Sequence, residues 1–333
     1  MTLTKKLSLL EKTLASITVS VLTLLPMPSF ASVIGYFDTE YNTDWTFAGY
    51  GGMRGIGSGS IEINGISGSV NKAYLYWHGP TNSNDPNVNA NVIFNGNNIL
   101  GNNIGFSDDN FWGFTNSQAY RADVTSFVSG NGFYSLSNLR KPNAEINGVS
   151  LLVFFDDGNS SNNRDVVLFD GNDANFANPF DPVGWNVSLS GIQYTSGSAT
   201  LVTGVSDGQN FGTNDDGNLT VNGTIIASGG IFQGNSVPKG PGGPSNGGLW
   251  DIKSFDITSF LTPGPNTLNI SLSPVQDALS LVHLAIDLPA GAAPPPPPES
   301  IPEPSTLLSV LTFGTLGGYS FRKGRKQKLK AQA

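Results

Sequence analysis

Apolar and polar positions alternate in short runs between residues 32 and 293, and no stretch there repeats with the 3.6-residue period of a helix. Ile61, Ile63 and Ile66 alternate with polar residues, as do Val187, Leu189 and Ile192. Ala73-Tyr74-Leu75-Tyr76-Trp77 and the run from Gly148 to Phe155 are apolar at nearly every position and predict more fully buried strands. Asn-Gly and Pro-Gly pairs stand between the runs, where hairpins and turns need them. The pattern predicts an all-β chain.

The pattern also repeats. Ser60–Trp77 aligns without gaps on Asn186–Thr203, at an offset of 126 residues. Val92-Ile93-Phe94-Asn95-Gly96 matches Leu219-Thr220-Val221-Asn222-Gly223, and Asp123-Val124-Thr125-Ser126-Phe127 matches Asp256-Ile257-Thr258-Ser259-Phe260. A fourth block pairs Ser150-Leu151 with Ser280-Leu281, Val153 with His283 and Asp157 with Asp287. Four blocks in one order predict two tandem β-sandwich modules, residues 32–165 and 166–293, of jelly-roll or galactose-binding-like form. Ala73 to Trp77, Ala122 to Thr125 and Asp170-Gly171 resemble a module of bacterial surface proteins.

The ends are of another kind. Lys5, Lys6 and Lys12 precede an apolar run from Leu14 to Leu25, then Pro26, Pro28 and the small residues Ser29 and Ala31. That layout predicts a secretory signal peptide, residues 1–31, cut after Ala31. At the other end, residues 294–304 form a Pro-rich linker, with Pro294 to Pro298 as a stiff spacer. Residues 305–333 hold an uncharged run to Phe321 and then Arg322, Lys323, Arg325, Lys326, Lys328 and Lys330. The run predicts a short hydrophobic membrane helix whose basic tail stays in the cytoplasm. Pro302-Glu303-Pro304, the hydrophobic helix and the Arg/Lys tail, in that order, resemble the PEP-CTERM sorting signal. The resemblance implies cleavage near that motif by an exosortase-type membrane enzyme, in bacteria that make exopolysaccharide. The implied partners are the secretion machinery and that enzyme. The implied location is the cell surface or the medium, after transient anchoring by the C-terminal helix.

Composition narrows the chemistry. The chain has no cysteine, which removes disulfides, thiolate nucleophiles and Cys-metal sites together. Between the two ends stand 8 Lys/Arg against 22 Asp/Glu, a balance that repels nucleic acid. The two histidines, His78 and His283, lie in strand patterns without a partner at motif spacing and read as structural. No nucleophile elbow, zinc-protease or phosphate-loop motif is present. The chain therefore reads as non-enzymatic; a glycosidase or lyase working through Asp residues is the alternative.

Nineteen of the 22 acids are Asp, many in Asn- and Gly-rich loops that suit Ca²⁺. The candidate ligands are Asp156, Asp157, Asn159 and Asp165, then Asp170 and Asp173, then Asp215, Asp216 and Asn218. The same Asp-Gly and Asn-Gly pairs are also ordinary turn formers. Phe111, Trp112 and Phe114, beside Asp108 and Asp109, form a candidate exopolysaccharide contact, since sugar rings stack on aromatic faces. A plug folded onto the sandwich is the competing reading of that loop.

Overall fold

The computed structural model describes residues 34–108, 113–181, 183–212, 215–273 and 277–295, and they form antiparallel sheets with no α-helix. The strands of the first half are β1 (Gly35–Tyr50), β2 (Gly59–Ile63), β3 (Ser69–Thr81), β4 (Asn91–Phe94), β5 (Asn97–Leu100), β6 (Asn102–Ser107), β7 (Asn116–Asp123), β8 (Gly132–Ser137) and β9 (Gly148–Asp156). Those of the second are β10 (Arg164–Ala174), β11 (Asn186–Tyr194), β12 (Thr200–Ser206), β13 (Asn218–Val221), β14 (Thr224–Ser228), β15 (Trp250–Asp256), β16 (Gly264–Leu272) and β17 (Ser280–Pro289).

Each half has a small sheet, ordered β2-β8-β4-β5 in one and β11-β16-β13-β14 in the other. The remaining strands make one nine-stranded sheet, β15-β12-β17-β10-β1-β9-β3-β7-β6. Within it, β1-β9-β3-β7 and β10-β17-β12-β15 are the same arrangement twice. The seam is β1, whose first part pairs with β10 from Gly35 to Thr43 while its second pairs with β9 from Asp44 to Tyr50.

Local chemistry repeats with the topology. Asn95 and Gly96 take φ of 48° and 78°, and Asn222 and Gly223 take 49° and 77°, the left-handed pair that a two-residue hairpin needs. Asp123 faces Tyr74 and Asp256 faces Thr200, so the two aspartates hold the same place. Each accepts from the backbone N–H of the threonine two residues on, at 2.9 Å. Thr125 and Thr258 then accept from the N–H of Ala73 and Ala199, also at 2.9 Å.

Three cores follow. One lies under each small sheet, holding Leu75, Trp77, Leu151 and Phe94 in the first half and Leu201, Ile286, Val221 and Leu268 in the second. The third lies between the opposite faces of the large sheet, where Tyr74, Tyr76, Leu152 and Phe154 meet Val202, Trp250, Val282 and Ala285. The large sheet is thus buried on both faces, which is why Ala73 to Trp77 and Gly148 to Phe155 are apolar at nearly every position.

The same burial explains one correction. The ladders set Leu151 against Leu75 and Ile286 against Leu201, so Leu151 corresponds to Ile286 and not to Leu281. His283 faces Gly204, while His78 faces Gly148. His283 therefore corresponds to Gly148 rather than to Val153, and Asp287 to Leu152 rather than to Asp157. A strand that is apolar on both faces carries no in-out alternation to fix its register.

Polar groups weld the halves. Arg54 donates to Asp207 at 2.6 Å and to Asn147 at 2.7 Å. Asn147 donates to Ser206 at 2.9 Å, and Ser206 is 2.6 Å from His78 Nδ1. Trp250 Nε1 donates to Ser150 at 3.0 Å. Arg121 pairs with Asp170 and lies over the Phe37 ring, 3.3 Å from its centroid.

Candidate functional site

At the β9 end, Asp156 and Asp157 turn out of the strand beside Asp44 of β1. The β1–β9 ladder brings Asp44 opposite Phe155. Successive side chains fold the connection: Asp156 accepts from Gly158 N at 2.8 Å, Asp157 from Asn159 N at 2.7 Å, and Asn159 from Ser161 N at 3.2 Å. Gly158 has φ of +82°, which a residue with a Cβ rarely adopts. One carboxylate oxygen from each of Asp44, Asp156 and Asp157 lies within 4.8 Å of the other two, with Asp44 buried and its partners exposed. Among the described residues this is the group of acids that converges so closely.

The Asn162 side-chain amide donates to both Asp44 and Asp157 at 3.0 Å. Burial pushes Asp44 up from the usual carboxylate range, with the Asp157 charge adding to it. The Asn162 and Asn159 donors pull Asp157 down. Hard oxygen ligands at these separations suit a cation that takes oxygens at about 2.3–2.6 Å, as Ca²⁺ does. The chemistry offered is ligation at an open loop end.

The other expected ligands go elsewhere. Asp165 is buried and accepts from Asn42, Gly291 and Ala293 backbone N–H groups at 3.0, 2.8 and 3.1 Å. Asp170 and Asp173 stand on β10 rather than in a loop; Asp170 is taken by Arg121 and by Tyr76, and Asp173 is buried, with its Oδ1 lacking a hydrogen-bond partner. Asp215 and Asp216 are buried and accept from Phe211 and Phe232 backbone N–H groups. Asn218 opens β13, where its N–H donates to Ser273. None of these joins Asp156 and Asp157. Of the aromatic loop, Asp108 and Phe114 are half-buried, and Asp109, Phe111 and Trp112 lie outside the described residues. So do Ala31, Pro302, Glu303, Pro304 and the basic tail.

Two features escaped the sequence reading. Asp44 is the third acid of the convergent group; its signal in the sequence is an acid standing in the aromatic run Tyr41 to Tyr50. A larger set of buried acids, Asp207, Asp215, Asp216, Asp251 and Asp277, lies close enough together for their charges to act on one another. Asp251 there accepts from three successive N–H groups, Gly234, Asn235 and Ser236. Burial pushes Asp216 up to about 7 and Asp277 up to about 9, the neighbouring aspartates adding to each. His78 and His283 are fully enclosed, and burial drives His283 down to about 3.

A family model described as protein of unknown function (DUF3344) matches residues 38–282. No curated protein matches the chain. A solved structure of PNGF-II is similar over 70% of this chain at 14% identity, with a TM-score of 0.26. This chain spans 59% of that one, and so slight a likeness carries neither fold detail nor activity across.

Proposed function

This chain belongs to the DUF3344 family, and we propose that it is an exported, non-enzymatic protein of the cell surface or extracellular matrix. Its ends act as a signal peptide and a PEP-CTERM-type sorting signal, read by the secretion machinery and an exosortase-type enzyme. Its body is two fused jelly-roll-like sandwiches that hold calcium, with polysaccharide as the candidate partner. The observation carrying this reading is where the reactive groups go. Both histidines and the acids Asp165, Asp173, Asp215 and Asp216 are enclosed in the body, whereas the Asp44–Asp156–Asp157 group opens to solvent at a loop end. Ligation fits that placement better than catalysis does.

Two measurements test it. Titration of CaCl₂ into the chelator-treated protein is expected to give saturable binding that is lost in Asp44→Ala. Because the ion binds the native state alone, a 100-fold excess over Kd should add about 2.7 kcal/mol of stability to the wild type. A melting curve unmoved by calcium would remove the ion from the proposal. Mass spectrometry of the exported protein should find no peptide beyond about Phe321; recovery of Arg322 to Ala333 would leave a plain membrane anchor.

A further inference from the structure

The outer face of the second small sheet carries a row of uncharged polar side chains. Asn186 of β11 faces Ser271 of β16, and Ser271 faces Thr220 of β13. Their chain neighbours Val187, Ile270, Leu272, Leu219 and Val221 are buried in the core below, so strand alternation turns the three polar side chains the other way. Thr220 and Ser271 are half-buried with their hydroxyls 2.8 Å apart, and Asn186 is exposed. Neighbouring strands lie roughly 4.8 Å apart, so three of them set hydrogen-bonding groups along roughly 10 Å.

The row lies in a hollow of about 390 Å³, a size within the range of small-ligand sites. Val183 and Trp185, which lead into β11, line it together with Asn269 of β16. Val183 is exposed, and its N–H is held by the Asp181 carboxylate at 3.0 Å. Trp185 Nε1 is buried and has no hydrogen-bond partner among the described residues, so a donor stands unused beside the row. On the other side, Asn222 N donates to Asn269 O and Asn269 N donates to Asn222 Oδ1, both at 2.8 Å, which ties the β13–β14 hairpin to β16. None of the residues lining the hollow is charged. The body around it carries 8 Lys/Arg against 22 Asp/Glu, a field that repels anionic ligands.

The first half differs at this place. Ile93 faces Ser137 as Thr220 faces Ser271, so an isoleucine stands where the second half has a threonine hydroxyl. The row is therefore a property of the second half and not a requirement of the shared fold.

We propose that this hollow binds a neutral saccharide chain along the row Asn186–Ser271–Thr220. The proposal rests on polysaccharide being the partner of this protein, and it names the site and the charge class. Side-chain hydroxyls and amides each offer both donor and acceptor, which suits a ligand with hydroxyl groups around its ring and no charge. Val183 offers the C–H face of such a ring an apolar surface.

The test is calorimetry of the purified protein with neutral hexaoses (β-1,4-glucan, β-1,3-glucan, α-1,6-glucan and β-1,4-mannan) and with hexagalacturonate. At least one neutral hexaose is expected to bind saturably, and hexagalacturonate is not. Ser271→Glu puts a carboxylate in the middle of the row and should weaken that binding at least about ten-fold, while melting within about 2 °C of the wild type. Thr220→Ile installs the residue of the first half and should weaken it about five-fold or more through the lost hydroxyl. Ser137→Glu, the same change on the other small sheet, should leave it as it is.

A neutral hexaose that binds Thr220→Ile and folded Ser271→Glu as tightly as the wild type would overturn the site and leave polysaccharide as the partner. Binding of hexagalacturonate alone would overturn the charge class. Saturable binding of none of the five would overturn the proposal together with the polysaccharide reading on which it rests.

Discussion

Arg54→Ala is expected to destabilise the protein by about 3–5 kcal/mol, the range for a buried pair that loses one partner. Arg54 is largely enclosed, and Asp207, its partner at 2.6 Å, is 3% exposed at the side chain. Removing the guanidinium strands the Asp207 charge between the halves and frees Asn147 from its two donors. Adding Asp207→Asn should recover about 1–2 kcal/mol, since a neutral amide no longer leaves a buried anion. Asn also accepts the left-handed backbone there, φ 70° at Asp207. Urea denaturation of the two variants and the wild type measures both steps. A loss under about 1 kcal/mol for Arg54→Ala, the range of exposed ion pairs, would mean that the weld is solvated.

Raising the pH from 7 to 9 is expected to lower stability by on the order of 3 kcal/mol through Asp277 alone. The folded chain holds that proton to about pH 9 because burial opposes the charge, with Asp207, Asp216 and Asp215 repelling it further. The unfolded chain releases it near pH 4, so between those values each pH unit favours unfolding by about 1.4 kcal/mol. Asp216, raised to about 7, adds the same slope below neutrality. His283, lowered to about 3, acts in the opposite sense. It favours unfolding as the pH falls below about 6.5, where the unfolded chain gains a proton that the folded chain refuses. In Asp277→Asn the loss between pH 7 and 9 should shrink by most of that amount, the amide still accepting from Gln209 N as Asp277 does at 2.9 Å. A pH slope identical in wild type and variant would show that Asp277 is ionised in the native state.

The sequence showed what local chemistry dictates. Asn95-Gly96 and Asn222-Gly223 announce their hairpins because so few residues tolerate that backbone. The Asp-x-Thr blocks announce their turns because the aspartate bonds the threonine N–H two residues on. The class, all-β, followed from alternation. What stayed hidden depends on pairing across long stretches of chain. Leu151 and Leu281 look equivalent in runs that are apolar at most positions, yet the ladders set Leu151 level with Ile286. Asp44 reaches Asp157 only through the β1–β9 ladder, across 113 residues of chain. Asp215-Asp216-Gly217-Asn218 reads as a solvated turn, and nothing in those four letters says that both acids are 0% exposed.

The long first strand has a consequence for how the protein is made. Gly35 pairs with Asp170, so the first strand to be synthesised waits for a partner 135 residues later. Loop closure over such distances slows folding. Meanwhile Gly35–Thr43 is an unpaired edge, open to the corresponding strand of another emerging copy. The order of synthesis thus sets the first half to wait for the second. A chain cut between β9 and β10 would be left with a sticky border where its seam should be, and two truncated copies could satisfy each other only by exchanging strands.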